Sequence, residues 1–380
     1  MIKKFLLLLL SAITVFSAAF AEDSQLLIDY TVHSAAGEST EIMYVRAADG
    51  KLTVLSSLFP GSCIMDTLPE GAPAFTATDS GSFPDFAFPD FRNIVRLWGT
   101  ALRPQSKTGL FSGDAFETAT SMDYCTCSRL DLLSLCTHIL ETAAPEAVNL
   151  MISSVTSSDM AEMLTGGRER ITCRIYDEGK YLSLTGNIQD STVFTLCFNF
   201  ADPDLVHAVF GYADSGVNYY WSVQAQVVSG HRISVSSALR ADYRKAGYRI
   251  CMYDEPILRE DLTLNLSEDN KQIDFESRMT PQNGLNSLLL NGTFKPWTDD
   301  LCRVEARFSG MPEEQYISLA IQKSGRTMET AAKKTFTLKE VLAPESGNKL
   351  VAEVNGRIQF IYAATVSVIP EVYLTKLLFQ

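Results

Sequence analysis

Three of the chain's eight cysteines and one of its four histidines fall in "YCTCSRLDLLSLCTH", Tyr124 to His138. A metal site, a disulfide and an ordinary helix are the candidate explanations. Arg129 to Thr142 reads as a helix capped by Ser128, with Asp131 three residues on. At about 100° per residue, Cys136 and His138 then point about 200° apart. Cys136 shares its side with Leu132, Leu133, Ile139 and Leu140, whereas His138 shares its side with Asp131, Ser134 and Thr142. One ion does not reach both. Cys125 and Cys127 are spaced C-x-C, not the C-x-x-C usual in zinc sites. No metal site is expected, and Cys136 is read as a buried core thiol. A local disulfide from Cys125 or Cys127 is the alternative.

Nucleophilic catalysis has no sequence signature here. There is no G-x-S-x-G elbow, P-loop or dinucleotide fingerprint. His33, His207 and His231 fall on or beside expected strands, where a solvated or hydrogen-bonded histidine is the common case. Acidic residues are too abundant for any one pair to be singled out as a glycosidase couple. The sequence therefore nominates no catalytic residue, no metal ligand and no cofactor. It leans away from an enzyme, with a hydrolase whose site is assembled only by the fold as the alternative.

The remaining chemistry is aromatic. Phe83, Phe86, Phe88 and Phe91 sit in or beside a long loop, and "NYYW", Asn218 to Trp221, starts a strand after a turn. Phe83, Phe86, Phe88, Phe91, Tyr219 and Trp221 are the candidate ligand-binding residues, as lid or lining of an apolar site. The competing reading is a loop tucked onto an apolar sheet.

What positions them is read from period and punctuation. The opening "MIKKFLLLLLSAITVFSAAFA" has the charged start, short apolar run and A-x-A site of a secretory signal peptide, residues 1–21. Its apolar run is too short for a comfortable membrane span. Residues 22–60 read as an N-terminal hairpin or meander, with Asp49-Gly50 in a turn. In "LLIDYTVH", Leu26, Ile28, Tyr30 and Val32 face one way and Leu27, Asp29 and Thr31 the other. Residues 61–167 read as loop and helices. Asp90 is the expected N-cap of a helix carrying Ile94, Leu97 and Trp98, and another helix is expected from Pro145 to Leu164.

From 168 to 323, turn signals recur between β-rich runs, and roughly ten strands make a long antiparallel meander. Trp221, Val223, Ile233, Val235, Leu239, Phe275, Leu288 and Ile321 lie on one apolar face. The alternate positions are rich in Arg, Asp, Glu and Gln. Phe275 is expected buried, with Asp274 and Glu276 exposed. Residues 324–380 read as a C-terminal α/β segment packing on the sheet, with "IQFIYAATVSVIP" as a buried strand or strand pair.

The expected fold is mainly β (α+β), a meander partly covered by two or three helices inserted before it. Ten strands at about 4.8 Å spacing span roughly 48 Å, and each helix covers about 10 Å. Helices alone therefore leave much of the apolar face to be closed by something else. A long meander with one apolar face and helices against it resembles periplasmic lipoprotein carriers and related lipid-binding envelope proteins. That resemblance implies an apolar-ligand role and carries over no residues.

The net charge of −13 disfavours nucleic acid and anionic membrane surfaces as partners, and 46% hydrophobic residues support a packed core over disorder. The expectation is an exported, non-enzymatic binding or scaffold protein of the cell envelope or exterior. It would hold an apolar ligand or a protein partner and have no transmembrane segment after signal cleavage.

Overall fold

The computed structural model describes residues 24–48, 51–58, 61–67, 81–102, 122–128, 170–188, 192–214, 217–245, 248–252, 256–282, 286–324, 334–337 and 359–369, together with Asp131, Leu132, Ser134, Leu135 and His138. The expected signal peptide, the Asp49-Gly50 turn, the 145–164 helix and Cys136 lie outside these residues. The described chain is mainly β, a largely antiparallel meander with helices, as the alternation predicts. It divides into two compact units.

Unit 1 comprises Met1–Pro84, Asn265–Arg278 and Asn286–Gln380. Its strands are β1 (Ser24–Ser34), β2 (Gly37–Ala48), β3 (Lys51–Ser56) and β4 (Ser62–Thr67), then β15 (Leu288–Phe294), β16 (Asp300–Phe308), β17 (Tyr316–Lys323) and β18 (Lys334–Phe336). They pair in the order β15, β16, β17, β1, β2, β3, β4, β18, antiparallel except for β4 with β18. Period-2 alternation sets one face inward. Cys302, Ile321, Ile28 and Met43 follow one another across four strands and join one buried cluster with Leu26, Val45 and Val54.

A helix over 359–368 caps this cluster. Here the expected C-terminal strand is corrected. Ile361, Thr365 and Val368 are buried at i, i+4 and i+7, which is the stripe of a helix and not of a strand. Tyr30 Oη lies 2.8 Å from Thr365 Oγ1 and so joins β1 to this helix. Phe275, expected buried, is half-buried over Gly292, and Asp274 is half-buried with Gln272 donating to it, while Glu276 is exposed as expected.

Unit 2 comprises Asp85–Leu264 and Met279–Leu285. Its strands β5 (Met122–Ser128), β6 (Arg170–Tyr176), β7 (Tyr181–Ile188), β8 (Thr192–Asp202), β9 (Leu205–Asp214), β10 (Val217–Ser229), β11 (Arg232–Lys245) and β12 (Tyr248–Met252) pair antiparallel in chain order. Strands β13 (Leu258–Leu266) and β14 (Ile273–Pro281) carry residues of each unit.

Helix α1, Phe91–Ala101, packs on β6 and β8. Asp90 caps it, its carboxylate accepting from Asn93 N–H at 3.0 Å. Val95 and Trp98 face the sheet, whereas Leu97, expected on that face, is 54% exposed. Leu97 stands about 200° around the helix from Val95. The turn Asp177–Gly179 between β6 and β7 supports α1 from below. All three of its residues have positive φ, 45°, 55° and 92°, and a Cβ on Gly179 would meet Arg92 O of α1 at 2.4 Å.

Asp131, Leu132, Ser134, Leu135 and His138, which follow β5, are helical. Ser128 and Asp131 exchange hydrogen bonds reciprocally, Ser128 N–H to Asp131 Oδ2 at 2.7 Å and Asp131 N–H to Ser128 Oγ at 3.3 Å. This is the capping-box arrangement, with aspartate in place of glutamate. Trp98 Nε1 donates to Asp131 O at 2.7 Å, tying α1 to this second helical stretch.

Candidate functional site

The register of unit 2 lines up one row of side chains across seven strands. Cys125 stands opposite Cys173, then follow Leu184, Leu196, Phe210, Trp221 and Leu239. The row is apolar throughout, but its cover is not. Helix α1 lays Val95 and Trp98 over the β5–β7 end, where Cys173 is 0% and Leu184 5% exposed. Leu196, Phe210 and Leu239 are half-buried, and Trp221 is 49% exposed. Leu135 of the second helical stretch joins Val95 and Trp98 in one buried cluster with Cys125, Cys173 and Leu184, so three strands of the row are covered and the rest is only half-buried.

At the N-terminus of α1 this face continues into a cleft of about 610 Å³. Phe88, Phe91, Phe200, Val206, Arg92 and Arg96 are among its lining residues. The rings form a chain: Phe88 to Phe91 at 6.2 Å, Phe91 stacked on Phe200 at 5.3 Å, and Phe200 stacked on Phe198 at 5.5 Å between centroids. The rim is polar. Arg92 Nη2 lies 3.6 Å from Glu178 Oε2, both largely exposed, an ion pair worth roughly 0–1 kcal/mol. Arg96 donates to Asn93 Oδ1 at 2.7 Å.

The six aromatic candidates separate. Phe88 and Phe91 join Phe200 in the cleft. Tyr219 and Trp221 lie on the apolar face of β10. Phe86 is half-buried, its N–H bound to Gly230 O at 2.6 Å, and its neighbour Asp85 stands 3.5 Å from His231 Nε2, which straps this segment to the β10–β11 turn. Phe83 belongs to unit 1, where it packs on Phe294 and Trp297 at 6.0 and 4.7 Å. Sequence reasoning passed over Phe198, Phe200 and Phe210. The first two were legible in "VFTLCFNFAD", where every second residue from Phe194 to Phe200 is large and apolar.

A second polar arrangement lies in unit 1, on the face of β1 that alternates with its buried residues Leu26, Ile28 and Val32. Ser318 Oγ is 3.4 Å from His33 Nε2, and Glu38 Oε1 is 3.0 Å from His33 Nδ1. The order hydroxyl, imidazole, carboxylate is that of an activated nucleophile. Tyr316 stacks on the imidazole at 4.1 Å, and Arg307 lies 4.3 Å above the tyrosine ring. Ser318 is paired with Thr31 on one side and Glu305 on the other, so its N–H belongs to the strand ladder and is not free to bind an oxyanion.

No helix among the described residues is long and apolar enough to cross a membrane, which says nothing of strands. No family model and no curated protein matches the chain. Among solved structures, it has distant matches to outer membrane β-barrel channels. A loop-deletion form of OmpT, an outer membrane protein of Vibrio cholerae, matches at TM-score 0.24 and 8% identity over 79% of this chain and 97% of that one. The toluene transporter TodX of P. putida matches at TM-score 0.20 and 9% identity over 82% and 90%. The outer membrane protein opdK of Pseudomonas aeruginosa matches at TM-score 0.14 and 8% identity over 79% and 98%.

Proposed function

We propose that the chain is an exported, non-enzymatic binding protein that holds an apolar ligand on the uncovered face of unit 2. One observation carries this: a single apolar row loses its cover partway, so that a tryptophan stands half-exposed in line with a fully buried cysteine. A folded sheet leaves such a face open at a cost in free energy, and an apolar ligand in that place recovers it. The aromatic cleft beside α1 extends the same face.

The test is a titration with an uncharged apolar fluorophore, N-phenylnaphthylamine. Trp221 has about 100 Å² left to bury, which at about 25 cal/mol per Å² bounds its contribution near 2.5 kcal/mol. Trp221→Ala should weaken binding by about 1–2 kcal/mol, roughly fivefold to thirtyfold. Equal affinity of parent and variant, or no binding by the parent, refutes the proposal.

The hydrolase alternative rests on Ser318, His33 and Glu38. The Ser318 N–H is held in the strand ladder and so does not serve as an oxyanion donor, a term that is usually the largest in acyl transfer. A fluorophosphonate should leave Ser318 unlabelled. Labelling of the parent that is lost in Ser318→Ala would establish the enzyme instead.

A further inference from the structure

We propose that Cys125 and Cys173 form a disulfide in the exported chain, closing β5 onto β6 beneath helix α1 and leaving Cys127 as a thiol. Cys125 and Cys173 are direct register partners on adjacent antiparallel strands. Such partners have Cα atoms about 4.5 or 5.5 Å apart, both within the range of about 4.4–6.8 Å that a disulfide bridges. Their side chains share one face, and Cys125 Sγ already reaches across to Cys173 O at 3.6 Å. Cys127 stands opposite Ile171 instead, and its Sγ bonds Ile171 O at 3.7 Å. Register therefore selects Cys125 over Cys127 as the partner of Cys173.

The two sulfurs are not equivalent. Hydrogen bonds to the neighbouring thiols of Cys125 and Cys127, with burial, push Cys173 up, whereas the hydrogen bond from Cys173 holds Cys125 below the usual thiol range. The oxidant is a disulfide of the export compartment, RSSR, so the proposal rests on the export reading for its supply. The Cys125 thiolate attacks one sulfur of RSSR, forming a mixed disulfide and releasing RS⁻. The Cys173 thiolate then attacks Cys125 Sγ and releases the second RS⁻. The two cysteine protons end on two RSH, the pair of cysteines is oxidised by two electrons, and RSSR is reduced by two. All three cysteines are buried under Val95 and Trp98, so the reaction precedes docking of α1 or follows its lifting. Once α1 is seated, it shields the bond.

The experiment uses full-length protein exported from a bacterial host, denatured in excess N-ethylmaleimide without reductant, digested and analysed by mass spectrometry. A peptide containing Cys125 and Cys127 should appear linked to the Cys173 peptide, carry one maleimide and separate on reduction. Because only Thr126 divides Cys125 from Cys127, variants make the assignment. Cys127→Ser should keep the link, and Cys125→Ser should lose it with an unchanged circular dichroism spectrum. Complete alkylation of Cys125 and Cys173 in the parent overturns the proposal, as does a link that survives in Cys125→Ser.

Discussion

Replacing Gly179 with alanine tests whether the turn between β6 and β7 sets the position of helix α1, and with it the cover over the apolar row. Gly179 has φ 92°, and an added Cβ would stand 2.4 Å from Arg92 O and 3.0 Å from Arg96 N. Both are backbone atoms of α1, so no side-chain rotation relieves the clash. The left-handed conformation costs a non-glycine residue about 1 kcal/mol. Overpacking against a fixed neighbour adds about 1–3 kcal/mol. The expected loss is therefore about 2–4 kcal/mol, and it should appear first as faster hydrogen exchange at the α1 amides. Two glycines calibrate the measurement. Gly81 has φ 58° with nothing within 4 Å of its added Cβ, so Gly81→Ala should show the conformational cost alone. Gly61 has nothing within 4 Å and no positive φ, so Gly61→Ala should stay within about 0.5 kcal/mol. Chemical denaturation followed by tryptophan emission ranks the three. If Gly179→Ala has the midpoint of Gly61→Ala, the turn does not support the helix and the reasoning fails.

Asp90→Ala removes the oxygen that accepts from Asn93 N–H, and should cost about 1 kcal/mol by denaturation, with the loss recovered in Asp90→Ser because serine also caps. Tyr30 gives the chain a stability dependence in alkali. Burial pushes its hydroxyl up to about 12, with the Thr365 hydrogen bond acting the other way, so the neutral form is favoured in the folded state. Its contribution is fully present below about pH 10, where the unfolded tyrosine is also neutral, and is lost as pH rises from about 10 to 12. A rise from about 10 to about 12 corresponds to roughly 2–3 kcal/mol. Denaturation midpoints of the parent should fall more steeply over that window than those of Tyr30→Phe, and parallel curves would contradict the linkage.

Alternation was the legible part of this sequence, because a side-chain period of 2 survives whatever packs on the sheet. Leu26, Ile28 and Val32 are buried on the side their spacing assigns, and the cap exchange of Ser128 with Asp131 followed from two residues three apart. Where the sequence misled, two physical patterns competed for the same letters. The segment "IQFIYAATVSVIP" has the β-branched content of a strand, but Ile361, Thr365 and Val368 also fit one helical stripe, and the sheet of unit 1 needed a cover. Tertiary demand decided, as it did for Leu97, whose spacing from Trp98 fits a helix face that the real stripe of Val95 and Trp98 turns away from the sheet.

The site was legible only in its ingredients. An exposed Trp221 and a buried Leu184 look alike in sequence, since both are apolar residues on the inner side of a strand. What separates them is how far across the sheet a helix reaches. That distance is set by the Asp177–Gly179 turn and by the bond from Trp98 to Asp131, neither of which advertises itself as part of a binding site. Phe83 shows the converse. It stands five residues from Phe88 in the same aromatic loop, yet packs into the other unit's cluster with Trp297, because the boundary between the units falls at Pro84 and Asp85. Chain proximity grouped the phenylalanines, and register regrouped them: Phe88 and Phe91 gained Phe200 from a strand about 110 residues away, on a face that β8 shares with Trp221.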